Sequence, residues 1–201
     1  MPSAFIAAIE AADDEAAVER LLRAGAAVDA DGTDHEFPAC VIAARLGHTK
    51  VLYHLASLEA NLDAVGPNGV SALRAACAHG HGGAVKCLVE SRAEVDAASP
   101  EGATALHLAA RHGHDACVNA LAQGGADLLR PAPDGSTALH LAAQHGHKAC
   151  IDALVAAAEK GSAAHMPVGR SALLGARKAD GALALFCAAQ RGHEESIKAP
   201  H

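Results

Sequence analysis

Thr104-Ala105-Leu106-His107-Leu108-Ala109-Ala110-Arg111-His112-Gly113-His114 recurs as Thr137-Ala138-Leu139-His140-Leu141-Ala142-Ala143-Gln144-His145-Gly146-His147, with Gln144 in place of Arg111 as the only change. The two copies are 33 residues apart, and a weaker third copy, Ser71-Ala72-Leu73-Arg74-Ala75-Ala76-Cys77-Ala78-His79-Gly80-His81, stands 33 residues before the first. A self-similarity at fixed period is the signature of stacked repeats, each too small to bury its own apolar face and each covered by its neighbours.

Each position of the phrase has a physical reason. The Thr or Ser before the apolar run is an N-cap whose oxygen accepts a backbone N–H of the first turn. His107 and His140 follow their threonines by three residues, where a side chain reaches back to the cap as in a capping box. The Ala-Ala pairs let neighbouring helices approach closely. Gly80, Gly113, Gly146 and Gly192 fall where the first helix must stop, which a left-handed residue achieves. A second helix then carries Val85 and Leu88, Val118 and Leu121, or Ile151 and Leu154 on its buried side, and Gly125-Ala126-Asp127 and Gly161 end it.

Outward from the repeated phrase, the chain reads as units of one length. Ser3 to Ala30 is expected to be a capping edge repeat, with helices to about Ala12 and over about Glu15 to Ala24. Residues 31–64 form a second unit whose opening is degenerate: Phe37-Pro38-Ala39-Cys40 replaces the Thr-Ala-Leu-His phrase, and Glu59 stands where Gly is expected. Units over residues 65–97, 98–130 and 131–163 follow, their turns marked by Asn68-Gly69, Glu101-Gly102 and Asp134-Gly135. The next such turn, Asp180-Gly181, comes 46 residues after Asp134-Gly135, so about 13 extra residues lie within about Ala156 to Arg177. A longer second helix from Ile151 to Lys160 and a loop around Gly161 to Gly169 would hold them. The last unit, residues 178–201, is read as truncated or frayed, and the whole of residues 1–201 as a single repeat domain.

Composition agrees. Of 201 residues 51% are hydrophobic but only 2% aromatic, with no Trp, which suits thin, closely spaced helices of Ala, Leu and Val. The net charge of −7 does not suit a nucleic-acid partner, which wants clustered Lys and Arg. The N-terminus lacks the basic and apolar regions of a signal peptide and is too acidic for a mitochondrial presequence. No run approaches the ~18 uncharged apolar residues of a membrane helix. Cys40, Cys77, Cys87, Cys117, Cys150 and Cys187 include no Cys-x-x-Cys pair. Cys117 and Cys150 share one repeat position, and helices packed ~8–10 Å apart exceed the ~4.4–6.8 Å a disulfide spans. The reading is buried thiols in a reducing compartment, cytoplasmic or nuclear.

The pattern Gly-x-Thr-Ala-Leu-His-Leu-Ala-Ala-x-x-Gly-His, a second helix and Gly-Ala-Asp is similar to the ankyrin repeat, strongly over residues 65–155 and weakly at both ends. Ala72, Ala105 and Ala138 depart from the family's usual Pro at the first helical position, a small change because Ala is a good helix former. Leu128-Leu129-Arg130 replaces the usual Val-Asn/Asp-Ala. The resemblance implies an all-α solenoid of helix-turn-helix repeats with short β-hairpin loops. It also implies a non-catalytic scaffold or adaptor that binds a partner protein as a monomer, without cofactor, nucleic acid or membrane. The alternative is a targeting module of a larger assembly, such as a ubiquitin-ligase substrate adaptor or a transcription cofactor.

By the same resemblance, partner contacts fall on the concave face and the hairpin tips. Concave-face positions follow the Ala-Ala pair: Arg45, Leu46, Ala78, His79, Arg111, His112, Gln144, His145, Gln190 and Arg191. Tip positions precede the turn glycine: Pro67, Asn68, Pro100, Glu101, Pro133 and Asp134. Structural zinc is the lesser reading of the His-Gly-His corners, because it needs four ligands in a tight tetrahedron. Protonation of the histidines is expected to weaken binding, or change the sign of its salt dependence, near pH 6. Ser171, Cys187 and His193 lack the base and oxyanion pattern of a nucleophile set, so no enzyme is read here.

Overall fold

A computed structural model describes Ile9 and residues 37–66, 69–160 and 169–194. The edge repeat expected over Ser3 to Ala30, the tip residues Pro67 and Asn68, and Gly161 lie outside the described residues, except that Ile9 is buried in a helix. The chain divides into two compact units, Met1–Glu94 and Val95–His201.

The first unit holds α1 (Ala39–Leu46), α2 (Thr49–Ser57), a hairpin of β1 (Val65–Gly66) and β2 (Val70–Ser71), α3 (Ala72–His79) and α4 (Gly82–Glu90). The hairpin pairs antiparallel, Val65 with Ser71 and Gly66 with Val70. Helix α1 packs on α3 and α2 on α4, so first helices form one layer and second helices another. The second unit repeats the plan. Its first helices are α5 (Ala105–His112), α7 (Ala138–His145) and α10 (Ala184–Gln190), and its second helices are α6 (Asp115–Gln123) and α8 (Lys148–Lys160). Helix α7 packs between α5 and α10, α6 packs on α8, and the short α9 (Arg170–Gly175) packs on α8.

The residues of the phrase explain this layering. The alanine pairs Ala43-Ala44, Ala109-Ala110 and Ala142-Ala143 are almost wholly inaccessible, so backbones come together where a larger side chain would hold them apart. Leu106, Leu121, Leu139 and Leu154 fill the space between the layers and are fully buried. Each of these leucines contributes about 1.5–3 kcal/mol by leaving water. The chain then turns at Gly80, Gly113 and Gly146, which cap α3, α5 and α7 in the left-handed region at φ 77°, 81° and 76°.

Second helices end differently. Gly125 is left-handed at φ 88° after α6, but Glu59 and Arg92 take the same role at φ 57° and 64°. A Cβ in that region costs about 1–2 kcal/mol.

The insertion leaves the stacking register intact. Helix α8 runs 13 residues against nine for α6, and begins at Lys148 rather than Ile151. The remaining extra chain includes α9, whose Leu173 is buried. Beyond it, Lys178 N–H donates to Ala182 O at 3.0 Å, as Ala132 N–H does to Ser136 O at 2.8 Å. The sixth repeat therefore rebuilds the hairpin tip of the fifth, and Ala179 N–H reaches back to Asp134 O. The tips of the second unit are closed by such bonds without strands; the isolated bridge Arg177–Leu183 marks the last.

Candidate functional site

The interaction surface expected from the repeat pattern is the set of exposed positions at the C-terminal ends of the first helices. What holds them in place is a set of imidazoles. At the start of α5, His107 Nδ1 accepts the Thr104 backbone N–H at 3.2 Å and the Thr104 hydroxyl at 2.8 Å. A backbone N–H can only donate, so Nδ1 is unprotonated and the ring carries its proton on Nε2. That Nε2–H donates to the carbonyl of Ser136 in the next repeat at 3.2 Å. His140 repeats the arrangement with Thr137 at 3.3 and 2.9 Å, and donates to Ala182 O at 3.1 Å. The threonine oxygen faces the N3 N–H as in a capping box, but the well-formed bonds at this corner are those made by the imidazole. At α3, where Arg74 replaces the His, the expected cap is made: Ser71 Oγ accepts Arg74 N–H at 3.4 Å. Burial, above all, holds the pKa of His107 and His140 below the ordinary value, against the pull of the carbonyls they donate to.

The second histidine of each corner links repeats at the other end of the first helix. Nε2–H of His81 donates to Arg45 O at 3.0 Å, that of His147 to Arg111 O at 3.1 Å, and that of His193 to Gln144 O at 3.2 Å. Each ring lies against the turn glycine of the preceding repeat. A Cβ on Gly47, Gly113 or Gly146 would lie 2.8, 2.6 or 2.7 Å from Nδ1 of His81, His147 or His193. The glycine is therefore required twice, for its left-handed backbone and for this approach. The second requirement is not visible in one repeat, because the contact is with the next.

Among the corner imidazoles His79, His81, His147 and His193 are bonded to carbonyls, and the His-Gly-His rings stack with centroids 6.1–6.2 Å apart. Among the described residues no three His, Cys, Asp or Glu side chains gather as a metal would require.

The frame leaves the expected contact positions largely open. Arg111, His112, His145, Gln190 and Arg191 are exposed in the second unit and Gln144 half-buried; in the first unit His79 and Leu46 are exposed, with Arg45 and Ala78 half-buried. The Arg45 guanidinium lies 5.5 Å over the Phe37 ring. His145 is held below its ordinary pKa by burial first, and then by Arg111, His147, Arg191 and His112 around it. Among the tips, Pro100, Glu101, Pro133 and Asp134 are exposed. Two of them also build the stack. Pro133 lies over Gly102, where a Cβ would meet it at 2.8 Å. Asp134 accepts from Ser136 Oγ at 2.6 Å, which more than anything else lowers its pKa, and faces Lys178 Nζ at 3.6 Å.

Clefts of about 540 and 420 Å³ lie beside Tyr53, Asp63 and Arg92 and beside Arg177, Leu183 and Phe186; neither lining contains a His or Cys. Of the trio Ser171, Cys187 and His193, the last donates to Gln144 O and the thiol is buried. All six cysteines are free and buried, and burial raises Cys87 to about 11 and Cys150 to about 12. Such thiols are poor nucleophiles, because the thiolate is the reactive form. No described helix is long and apolar enough to cross a membrane.

Two layers of short helices, left-handed glycine turns and capped hairpin tips at one period define a helical repeat solenoid. The chain belongs to the ankyrin repeat family: the family profile, described as ankyrin repeats in three copies, matches residues 4–99, 40–132, 83–164 and 125–199. A search of the curated proteins finds none that matches. Ankyrin repeats generally bind other proteins and are typically not enzymes.

Proposed function

We propose that this chain is a non-catalytic scaffold or adaptor that recognises a partner protein through the exposed ends of its first helices and its hairpin tips. One observation supports this most directly. Where α5 and α7 are identical in sequence their side chains are mostly buried or bonded to the frame, and the one position that differs, Arg111 against Gln144, opens on the surface. Variation placed on an invariant frame is how a repeat array acquires specificity without changing its fold. The buried free thiols fit a reducing compartment, cytoplasm or nucleus.

The test is partner capture with the intact chain, followed by the double variant Arg111→Glu/His112→Glu and by Asn119→Glu at an exposed position of α6. Loss of the captured protein in the double variant, with retention in Asn119→Glu, is the expected result. Equal capture by all three would refute the surface.

A further inference from the structure

The chain carries 23 Asp and Glu against 16 Lys and Arg, yet the described first helices hold none of the acidic residues. None of α5, α7 and α10 contains an Asp or Glu, and the same holds for α1 and α3 of the first unit. Elsewhere among the described residues four cations sit beside carboxylates: Lys86 with Glu90, Lys148 with Asp152, Arg170 with Glu159, and Lys178 with Asp134. Arg111 and Arg191 are exposed and have no such partner among the described residues. Between them stands His145, on the helix packed against both of theirs.

Resting on the reading above, we infer that the first-helix face of the second unit docks an acidic peptide segment, with carboxylates on Arg111 and Arg191 and a third beside His145. Two arginines and an imidazole without internal carboxylates form a positive stripe on a negative chain, and that complementarity selects an acidic partner while repelling basic ones. The guanidinium groups suit carboxylates through paired N–H donors. The stripe also sets a length. Successive first helices lie ~8–10 Å apart, so the outer two are separated by roughly 16–20 Å. An extended segment covers that in about five or six residues at ~3.3–3.6 Å each. Lys148 of the second layer is already paired with Asp152 and adds little.

A bound carboxylate stabilises the protonated form of His145, so binding takes up a proton and tightens as pH falls toward 6. For an acidic partner the sign is thus opposite to the weakening expected from the histidine count alone.

The probe is a fluorescein-labelled twelve-residue peptide of alternating Glu and Ser, compared with Gln-Ser and Lys-Ser peptides of equal length by fluorescence polarisation on the intact chain. At 50 mM salt the Glu-Ser peptide is expected to bind about fivefold or more tighter than Gln-Ser, from three exposed charge pairs. The difference should shrink at 300 mM salt, where screening is stronger. Arg111→Glu/Arg191→Glu should remove it and favour Lys-Ser, with circular dichroism showing an unchanged fold. Equal binding of Glu-Ser and Gln-Ser, or undiminished Glu-Ser binding by the double variant, would overturn the inference. If a protein captured through Arg111 and His112 binds with no salt dependence, the scaffold reading stands and the acidic segment falls.

Discussion

Substituting His140→Phe tests whether imidazoles lock one repeat to the next. His140 accepts the Thr137 N–H and hydroxyl on Nδ1 and donates from Nε2 to Ala182 O, and the residue is fully buried. A phenyl ring fills the space but returns none of these bonds. The Thr137 N–H and the Ala182 carbonyl then lose their partners in a buried corner, at about 1–3 kcal/mol each. The Thr137 hydroxyl can rotate to another acceptor, so the expected loss near pH 8 is about 2–6 kcal/mol. Acid removes the same bonds in the parent chain, because a protonated Nδ1 cannot accept. The folded pKa values of His107 and His140 lie below 6.5, so the unfolded chain binds more protons over the interval beneath 6.5. Stability from these groups is complete above pH 6.5 and declines as pH falls toward the folded values. The slope reaches at most about 2.7 kcal/mol per pH unit for two protons. Urea unfolding followed by circular dichroism at 222 nm, from pH 8 to 5, reads both effects. The variant should be weaker at pH 8 and should have a shallower slope than the parent, so that the two curves converge in acid. Parallel curves, or a parent chain that gains stability on acidification, would refute the argument.

The remaining predictions use the same unfolding assay or a thiol reagent. Gly113→Ala should cost about 1–2 kcal/mol for its left-handed backbone and more for its approach to His147, whereas Gly175→Ala, with open space around it and ordinary φ, should be within about 0.5 kcal/mol of neutral. Arg92→Gly and Glu59→Gly should each stabilise by about 0.5–1 kcal/mol by relieving a left-handed Cβ, and a loss in both would show that these turns do not hold that conformation. Cys150 should resist a thiol-directed aromatic disulfide at pH 8 until urea is added; rapid labelling of the native chain would contradict its burial and raised pKa.

The period, the turn glycines and the buried rows Val118–Leu121 and Ile151–Leu154 were legible in the sequence because each depends on contacts at helical spacing or on one residue's backbone. The 13-residue excess was legible as arithmetic between Asp134 and Asp180, but α9 was not: six residues carry too little periodicity to separate a helix from a loop. The inter-repeat bonds were hidden for another reason. His147 reaches Arg111 O, 36 residues back, and a backbone carbonyl leaves no mark in the sequence at its own position. Of the candidate surface, Arg111, His112, Gln144 and His145 were marked by difference or by position in the phrase. Pro133 and Asp134 carried a tip signal that could not reveal their second duty, Pro133 against Gly102 and Asp134 beside Lys178. Sorting carboxylates by helix, rather than summing them over the chain, separates α5, α7 and α10, which have none, from α6 and α8, which carry Asp115, Asp152 and Glu159.

The corner bonds also bear on how such an array grows. His193 reaches Gln144 O across 49 residues and His147 reaches Arg111 O across 36, so the intervening insertion changes the loop traversed and leaves the joint intact. Every such joint consists of a carbonyl and a glycine from one module and an imidazole from the next. A gene duplication of 33 codons, cut at any phase, therefore regenerates one complete joint at each new junction. Novel sequence spliced between joints is inherited without penalty to either neighbour. Lengthening by copying and diversification by insertion thus make separate physical demands on such an array.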